Sequence, residues 1–261
     1  MIVVEDVREE NIEDVFRVCS HARLNDPLQN KGMEIKRAWL LMMLREHGPC
    51  TKIAYIDGRP VAQILFYPEE AVPFVPDPRE DAIVLNCVYN PFPEARGKGA
   101  ASAAVKSLIE DGRKGIPCLG GRPCSFIAAK PFNTGEGMSL EAFYEMNGFG
   151  RAPEEMFMEV AGKYQPRKAM EYHLLPEDRG RSVMFYDTIC EWGYTFAIRV
   201  RDLLHEIDPG LPVEFINPWQ RPEESVKRGN QMLIVNTKVI KSFWTNREGF
   251  RREVEEAIRS G

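Results

Sequence analysis

The sequence predicts an α/β fold in two parts: a larger domain with a mixed central sheet, then a smaller α/β domain. Three observations carry this. The chain has 261 residues, more than one typical domain needs. Alternating strand and helix patterns run to about residue 160, break, and then restart. The break is dense in Gly, Pro, Lys, Arg and Glu, which is linker composition. The expected domains are 1–163 and 182–261, joined by a linker over 164–181.

The elements follow in order. Residues 2–7 read as a strand. A helix starts near Asn11, which is suited to capping it, with Glu13 and Asp14 at the positive end of its dipole. Ile12, Val15, Phe16 and Cys19 share one face. Asn, Asp, Pro and Gly within 22–33 predict a loop, and a second helix is expected over 34–47. Residues 52–67 read as a hairpin turning at Asp57-Gly58. The apolar stretch 82–88 reads as a strand covered on both faces. Helices are expected at 99–111 and 139–146, and strands at 125–129 and 155–160. The second part reads as strand 182–186, helix 194–207, strand 213–216, short helix 222–228, a hairpin of 232–235 with 239–243, and helix 248–259.

Composition excludes several classes of function. Hydrophobic residues make up 44% and charged residues 28%, which are globular proportions. The net charge of −5 favours neither nucleic acid nor an anionic membrane as partner. The longest apolar run, 38–44, is too short to span a bilayer. The opening MIVVED has no basic region, so no secretory signal is expected. Six scattered cysteines read as thiols of a reducing cytoplasm. Neither the cysteines nor the four histidines show metal-ligand spacing, so no metal is expected.

The chemistry concentrates in 90–101, Asn-Pro-Phe-Pro-Glu-Ala-Arg-Gly-Lys-Gly-Ala-Ala, between a strand and an Ala-rich helix. Gly97 and Gly99 allow close backbone approach to a ligand, and the helix start adds partial positive charge. Together they suit a phosphate or pyrophosphate. The plainer reading is a solvated turn with Arg96 and Lys98 in water. The chain contains neither the nucleotide-binding Gly-x-x-x-x-Gly-Lys-Ser/Thr loop nor the three-glycine dinucleotide pattern.

The element order and two motifs resemble the Gcn5-related N-acetyltransferase (GNAT) superfamily. Arg96, Gly99 and Ala101 match the family's Arg/Gln-x-x-Gly-x-Gly/Ala signature in register. The stretch from Glu141 through Tyr144 to Gly148-Phe149 is similar to its second motif. The resemblance implies an acetyl-CoA-dependent N-acetyltransferase, with coenzyme A as co-substrate. Backbone N–H groups of Gly97, Lys98, Gly99, Ala100 and Ala101 would hold the pyrophosphate, with Arg96 part of the same cofactor site. The strand end at Cys87 and Val88 would pair with the pantetheine arm, and Tyr144 would protonate the departing thiolate. The spacer from Tyr89 to Ala95 exceeds the family's, which leaves Cys87, Val88 and Tyr89 as alternatives for the pantetheine contact. Asn86 stands where some relatives carry a carboxylate, so the general base is open among Glu80, Asp81 and His21. The acceptor is expected to be a small-molecule or peptide amine. A non-catalytic acyl-CoA sensor whose second domain recruits a partner is the alternative.

The second part has the element order of a thioredoxin-like fold and resembles the YoaP-like domain that follows some acetyltransferase domains. Cys190 lies between strand and helix, where a helix N-terminus favours thiolate, but Gly193 occupies the second cysteine's place. A dithiol mechanism is therefore excluded within this motif.

Overall fold

A computed structural model of the protein describes residues 1–132 and 138–260. The chain divides into two compact units. The first comprises Met1–Leu24, Arg37–Val72 and Asp77–Arg167; the second comprises Asn25–Lys36, Pro73–Pro76 and Lys168–Gly261.

The first unit is built on seven strands: β1 (Ile2–Asp6), β2 (Thr51–Ile56), β3 (Arg59–Pro68), β4 (Ala82–Tyr89), β5 (Phe126–Ala129), β6 (Gly150–Arg151) and β7 (Met156–Glu159). Their order is β1-β2-β3-β4-β5-β7-β6. Every neighbouring pair is antiparallel except β4 with β5, so the sheet is mixed, as the sequence predicts. The β2–β3 turn places Asp57 at φ 50° and Gly58 at φ 78°, the pair of positive angles a tight hairpin turn requires. Residues 61–66 of β3 and all of β5 are buried without alternation, the mark of a sheet covered on both faces. Helix α3 (Ala100–Lys114) packs across β1, β2 and β3, with Ala104, Val105 and Leu108 fully buried.

Helix α1 (Ile12–Cys19) forms on the face the sequence marks, but Asn11 does not cap it with its side chain. Its amide accepts from Arg8 N–H and donates to the Asp6 carbonyl, tying the helix entry to β1 instead. The expected loop over 22–33 is corrected more substantially. Helix α2 runs over Pro27–Glu46. Asp26 Oδ1 accepts from the N–H groups of Leu28 and Gln29, and Pro27 sits in the first turn, where its missing N–H costs nothing. Gly32 is there for space rather than for a turn. A Cβ on it would lie 1.9 Å from the Glu191 carbonyl oxygen, both residues belonging to the second unit.

A buried ionic cluster closes the first unit. Glu69 is fully buried and accepts from Arg79 Nε at 2.6 Å and Arg167 Nε at 3.0 Å. Arg79 also pairs with Glu155 and donates to the Gln165 carbonyl. Tyr164 stacks on Phe157 at 4.1 Å and packs on Ala82, Phe126 and Ala128.

The second unit has four strands, β8 (Ser182–Phe185), β9 (Val213–Ile216), β10 (Leu233–Val235) and β11 (Lys238–Val239), in the order β11-β10-β8-β9. β8 and β9 are parallel, and the other pairs are antiparallel. Helices α5 (Gly193–Ile207), α6 (Pro222–Lys227) and α7 (Arg247–Arg259) complete it. Ala197, Leu204, Val235, Val254 and Ala257 form its dry core. Gly193 starts α5 because a Cβ there would meet the Asp187 carbonyl oxygen at 1.7 Å. Two ion pairs are fully buried. Lys36 Nζ meets Glu191 at 2.8 Å, and Arg228 grips both oxygens of Asp178 at 2.8 Å each. Such pairs fix geometry, since removing one partner strands the other charge at a cost of about 3–5 kcal/mol.

Candidate functional site

β4 is held on both sides only along its first half. β5 pairs with it from Ala82 to Leu85 and then stops, because Lys130 precedes Pro131 and a proline lacks the N–H that a ladder needs. At the same level the β3–β4 register slips: Leu65 faces Cys87 while Phe66 faces Leu85, leaving Asn86 as a bulge. Beyond it, Cys87, Val88 and Tyr89 stay paired with β3 alone. The backbone on the β5 side is thus presented to a gap.

That gap is a cavity of about 310 Å³. Cys87, Val88, Tyr89 and Asn90 form one wall, Arg96, Gly97, Gly99, Ala100, Ala101 and Ser102 another. Seven of the eight residues expected to hold a cofactor are named among these; the eighth, Lys98, is exposed on the same turn but outside the lining.

The turn itself is held by Asn90, whose amide accepts from Phe92 N–H and donates to the Ala95 carbonyl, each at 3.3 Å. Arg96 folds back so that Nη2 donates to the Pro91 carbonyl at 3.2 Å. Gly97 and Gly99 have φ of 74° and 81°, a left-handed conformation that costs other residues. A Cβ on either would enter open space, so conformation rather than crowding requires glycine. Gly99 is the N-cap of α3, with no side chain capping it. The first helical bond runs from Ala103 N–H to the Gly99 carbonyl. Among the described residues no acceptor meets the N–H groups of Gly97, Gly99, Ala100, Ala101 or Ser102. Five donors and the positive end of a helix of fifteen residues therefore face one opening, the arrangement that binds an anion.

The opposite wall is apolar: Phe132, Met138, Leu140, Phe143 and Met146. Helix α4 (Leu140–Met146) carries the last three. Ser139 Oγ caps it by accepting from Ala142 N–H, and Gly148 at φ 87° ends it. Phe132, Met138 and Met146 are more than half exposed, at 53%, 56% and 66%. Sequence reading missed this wall. Its one signal was large apolar residues on the outer side of a short helix, where solvent alone would favour polar ones.

Tyr144 points inward from the same helix. It is fully buried, with its ring against Phe143 and Phe149, and its hydroxyl has no hydrogen-bond partner among the described residues. Burial, and then the neighbouring Cys87 thiol, push its acidity well below that of an ordinary phenol. It stays protonated at any physiological pH and lies beneath the cavity wall rather than in it.

Comparison with known proteins adds likenesses of shape alone. A GNAT family acetyltransferase from Brucella melitensis, solved with acetyl-CoA, aligns over 66% of this chain and 96% of its own, at 15% identity and a TM-score of 0.42. A putative GNAT acetyltransferase from Desulfovibrio desulfuricans aligns over 62% and 100%, at 18% identity and 0.42. The PaiA N-acetyltransferase from Thermoplasma acidophilum, solved with coenzyme A, aligns over 63% and 99%, at 13% and 0.41. No protein-family model and no curated protein matches the sequence.

The structure separates the three candidate bases. Asp81 lies before the first residue of β4 and pairs with Arg122 at 2.9 Å, and Glu80 precedes it. Asp81 and Cys87 are six residue steps apart along the strand, roughly 20 Å, so neither carboxylate reaches the cavity. His21 is at the other end, its ring 5.0 Å from Phe92 in the turn. Asn86 accepts from Tyr67 Oη at 3.3 Å, and Tyr67 meets the edge of Trp39. No carboxylate or imidazole lines the cavity among the described residues.

Proposed function

We propose that the protein is an acetyl-CoA-dependent N-acetyltransferase of the GNAT type, acting on an amine of a small molecule or peptide. The observation that carries this is the convergence on one cavity of an unpaired strand end, five unengaged N–H groups at a helix start, and a buried phenol beside the strand. The N–H groups of Gly97 to Ser102 take the pyrophosphate, with Arg96 at its edge. The pantetheine arm lies along Cys87, Val88 and Tyr89 in the place β5 vacates, using amide groups as a further strand would. The apolar wall of α4 shields it from water.

The thioester carbonyl then meets N–H groups of β4 at the bulge, which stabilise the oxyanion formed when the amine attacks. The tetrahedral intermediate collapses with loss of the thiolate. Tyr144 supplies the proton to the thiolate. Holding both reactants together contributes up to about 7–11 kcal/mol. The proton lost by the amine leaves through solvent at the His21 end. In the second unit, the order β11-β10-β8-β9 with β8 and β9 parallel supports a thioredoxin-like, YoaP-like domain. The division into 1–163, a linker over 164–181, and 182–261 is part of the same reading. The changeover from first to second unit, after Arg167, falls within that linker.

One observation favours a second reading, a non-catalytic acyl-CoA sensor: among the described residues the cavity walls carry no carboxylate or imidazole. Acetyl-CoA consumption measured across an amine panel, with Tyr144→Phe alongside, separates the two. Turnover lost in the variant supports catalysis. Tight acetyl-CoA binding with no turnover on any amine favours the sensor.

A further inference from the structure

The molecule has six cysteines and no disulfide. Cys19, Cys50, Cys118 and Cys124 are buried, none more than 5% exposed. Burial pushes the Cys124 thiol up to about 12, so it stays protonated. Cys87 and Cys190 are half-buried, and they lie in different units. Among the described residues, Cys87 is the one cysteine that lines the cavity.

Its setting is distinctive. Cys87 is the first residue past the Asn86 bulge, where β4 parts from β5. Beside it stands the Tyr144 phenol, fully buried and with no partner for its hydroxyl among the described residues. A buried unpaired hydroxyl costs about 1–3 kcal/mol, which a ligand atom arriving there would relieve. Cys87 lines the cavity and neighbours that phenol, so a coenzyme whose departing thiolate is served by Tyr144 brings its sulfur close to Cys87 Sγ. Two sulfur atoms are then neighbours in one cleft.

We propose that Cys87 is a site of covalent modification by coenzyme A, forming a mixed disulfide that closes the acyl-transfer site when coenzyme A disulfide accumulates. This rests on the reading that the cavity holds coenzyme A. The step is thiol–disulfide exchange. The Cys87 thiol loses its proton to solvent, and its sulfur attacks one sulfur of coenzyme A disulfide. The S–S bond of the reagent breaks as the Cys87–S bond forms. One coenzyme A leaves as thiolate and is reduced, while Cys87 is oxidised. A dithiol reverses the step. Selectivity comes from binding, since a reagent anchored at Arg96 to Ala101 presents its sulfur at a high effective concentration. Cys190 belongs to the second unit and does not line the cavity.

The full-length protein tests this with two reagents at equal concentration: coenzyme A disulfide, and pantethine, which has the arm but no phosphate. Intact mass and peptide mapping are followed over time, with acetyl-CoA binding measured by calorimetry. The expected result is one coenzyme A per chain on the Cys87 peptide, formed at least about tenfold faster than the pantethine adduct. Acetyl-CoA should protect against it, and dithiothreitol should remove it. The modified protein should no longer bind acetyl-CoA. Cys87→Ser should abolish the adduct and Cys190→Ser should keep it. Equal rates for the two reagents, or modification centred on Cys190, would overturn the assignment. So would no adduct in a protein that binds acetyl-CoA. A protein that binds no coenzyme A at all overturns the coenzyme reading and this inference together.

Discussion

Replacing Gly99 by glutamate tests the proposed phosphate-binding turn at the point where backbone and ligand would compete for space. Gly99 has φ 81° and ψ 8°, and a side chain there would project into the open cavity mouth. Adopting that conformation costs an ordinary residue about 1–2 kcal/mol. For a domain of this size that lowers the melting temperature by roughly 2–8 °C, at about 2–4 °C per kcal/mol. No atom lies within 4 Å of the new Cβ, so the protein should remain folded. The effect on the ligand is larger. A carboxylate about 5 Å from a phosphate charge, at an effective dielectric near 20, adds about 3 kcal/mol of repulsion. Acetyl-CoA affinity should therefore fall more than about a hundredfold. Gly99→Ala carries the same backbone strain without the charge and separates the two contributions. Calorimetric titration with acetyl-CoA, beside thermal scans of all three proteins, supplies the measurement. Two results would refute the reasoning: a folded glutamate variant with wild-type affinity, or equal losses in the alanine and glutamate variants.

Tyr144→Phe should lower kcat by about 10²- to 10⁴-fold with little change in coenzyme affinity. Its melting temperature should hold or rise, since the deleted hydroxyl makes no hydrogen bond among the described residues; a clear drop would contradict its described surroundings. A chain ended at Lys163 should be far less stable than one ended at Arg167, because it loses the Tyr164 stack and the partners Arg79 and Glu69 find in 165–167. Comparable denaturant midpoints for the two would place the end of the first unit elsewhere. Burial pushes the Asp178 carboxyl up, but the guanidinium groups of Arg228 and Arg181 outweigh it and hold it below the usual carboxylate range. With the folded value depressed, its stabilisation is present above about pH 4 and is lost as pH falls through that lower value. Denaturant titrations from pH 7 to pH 2 should show this acid loss. Asp178→Asn should remove that contribution and cost about 3–5 kcal/mol at neutral pH by leaving Arg228 buried and unpaired.

Periodicity alone exposed most of the fold. Strand 82–88, strand 213–216 and the hairpin at Asp57-Gly58 were legible because burial and turn chemistry dictate residue type directly. The first half of α2 was not. Asn30, Lys31 and Gly32 look like loop, yet Gly32 serves a close backbone approach to Glu191, a residue 159 positions away that local composition cannot report. The reach of the first unit past Lys163 was hidden for a similar reason, since Arg79 and Glu69 claim Gln165 and Arg167 through single polar contacts. At the site, Gly97, Gly99 and Tyr144 announced themselves by motif. The apolar wall of Phe132, Met138, Leu140, Phe143 and Met146, the Asn90 hydrogen bonds and the exclusion of Asp81 from the cavity all depend on how distant segments meet.

The split between β4 and β5 has a consequence for how this site tolerates change. On the proposed reading its binding groups are amide hydrogens of Gly97, Gly99 to Ser102 and the strand end, and amides belong to every non-proline residue alike. A saturation library over 87–102 should therefore be permissive at Lys98, Glu94 and Tyr89, whose identities the backbone geometry does not need. It should be stringent at Gly97 and Gly99, where positive φ is required, and at Ala100, which is 1% exposed. Proline should be the damaging substitution along Cys87 to Tyr89, since it alone erases a donor. A pocket specified in this way can drift widely in sequence while its chemistry stands still, because what is inherited is the course of the chain rather than the side chains along it.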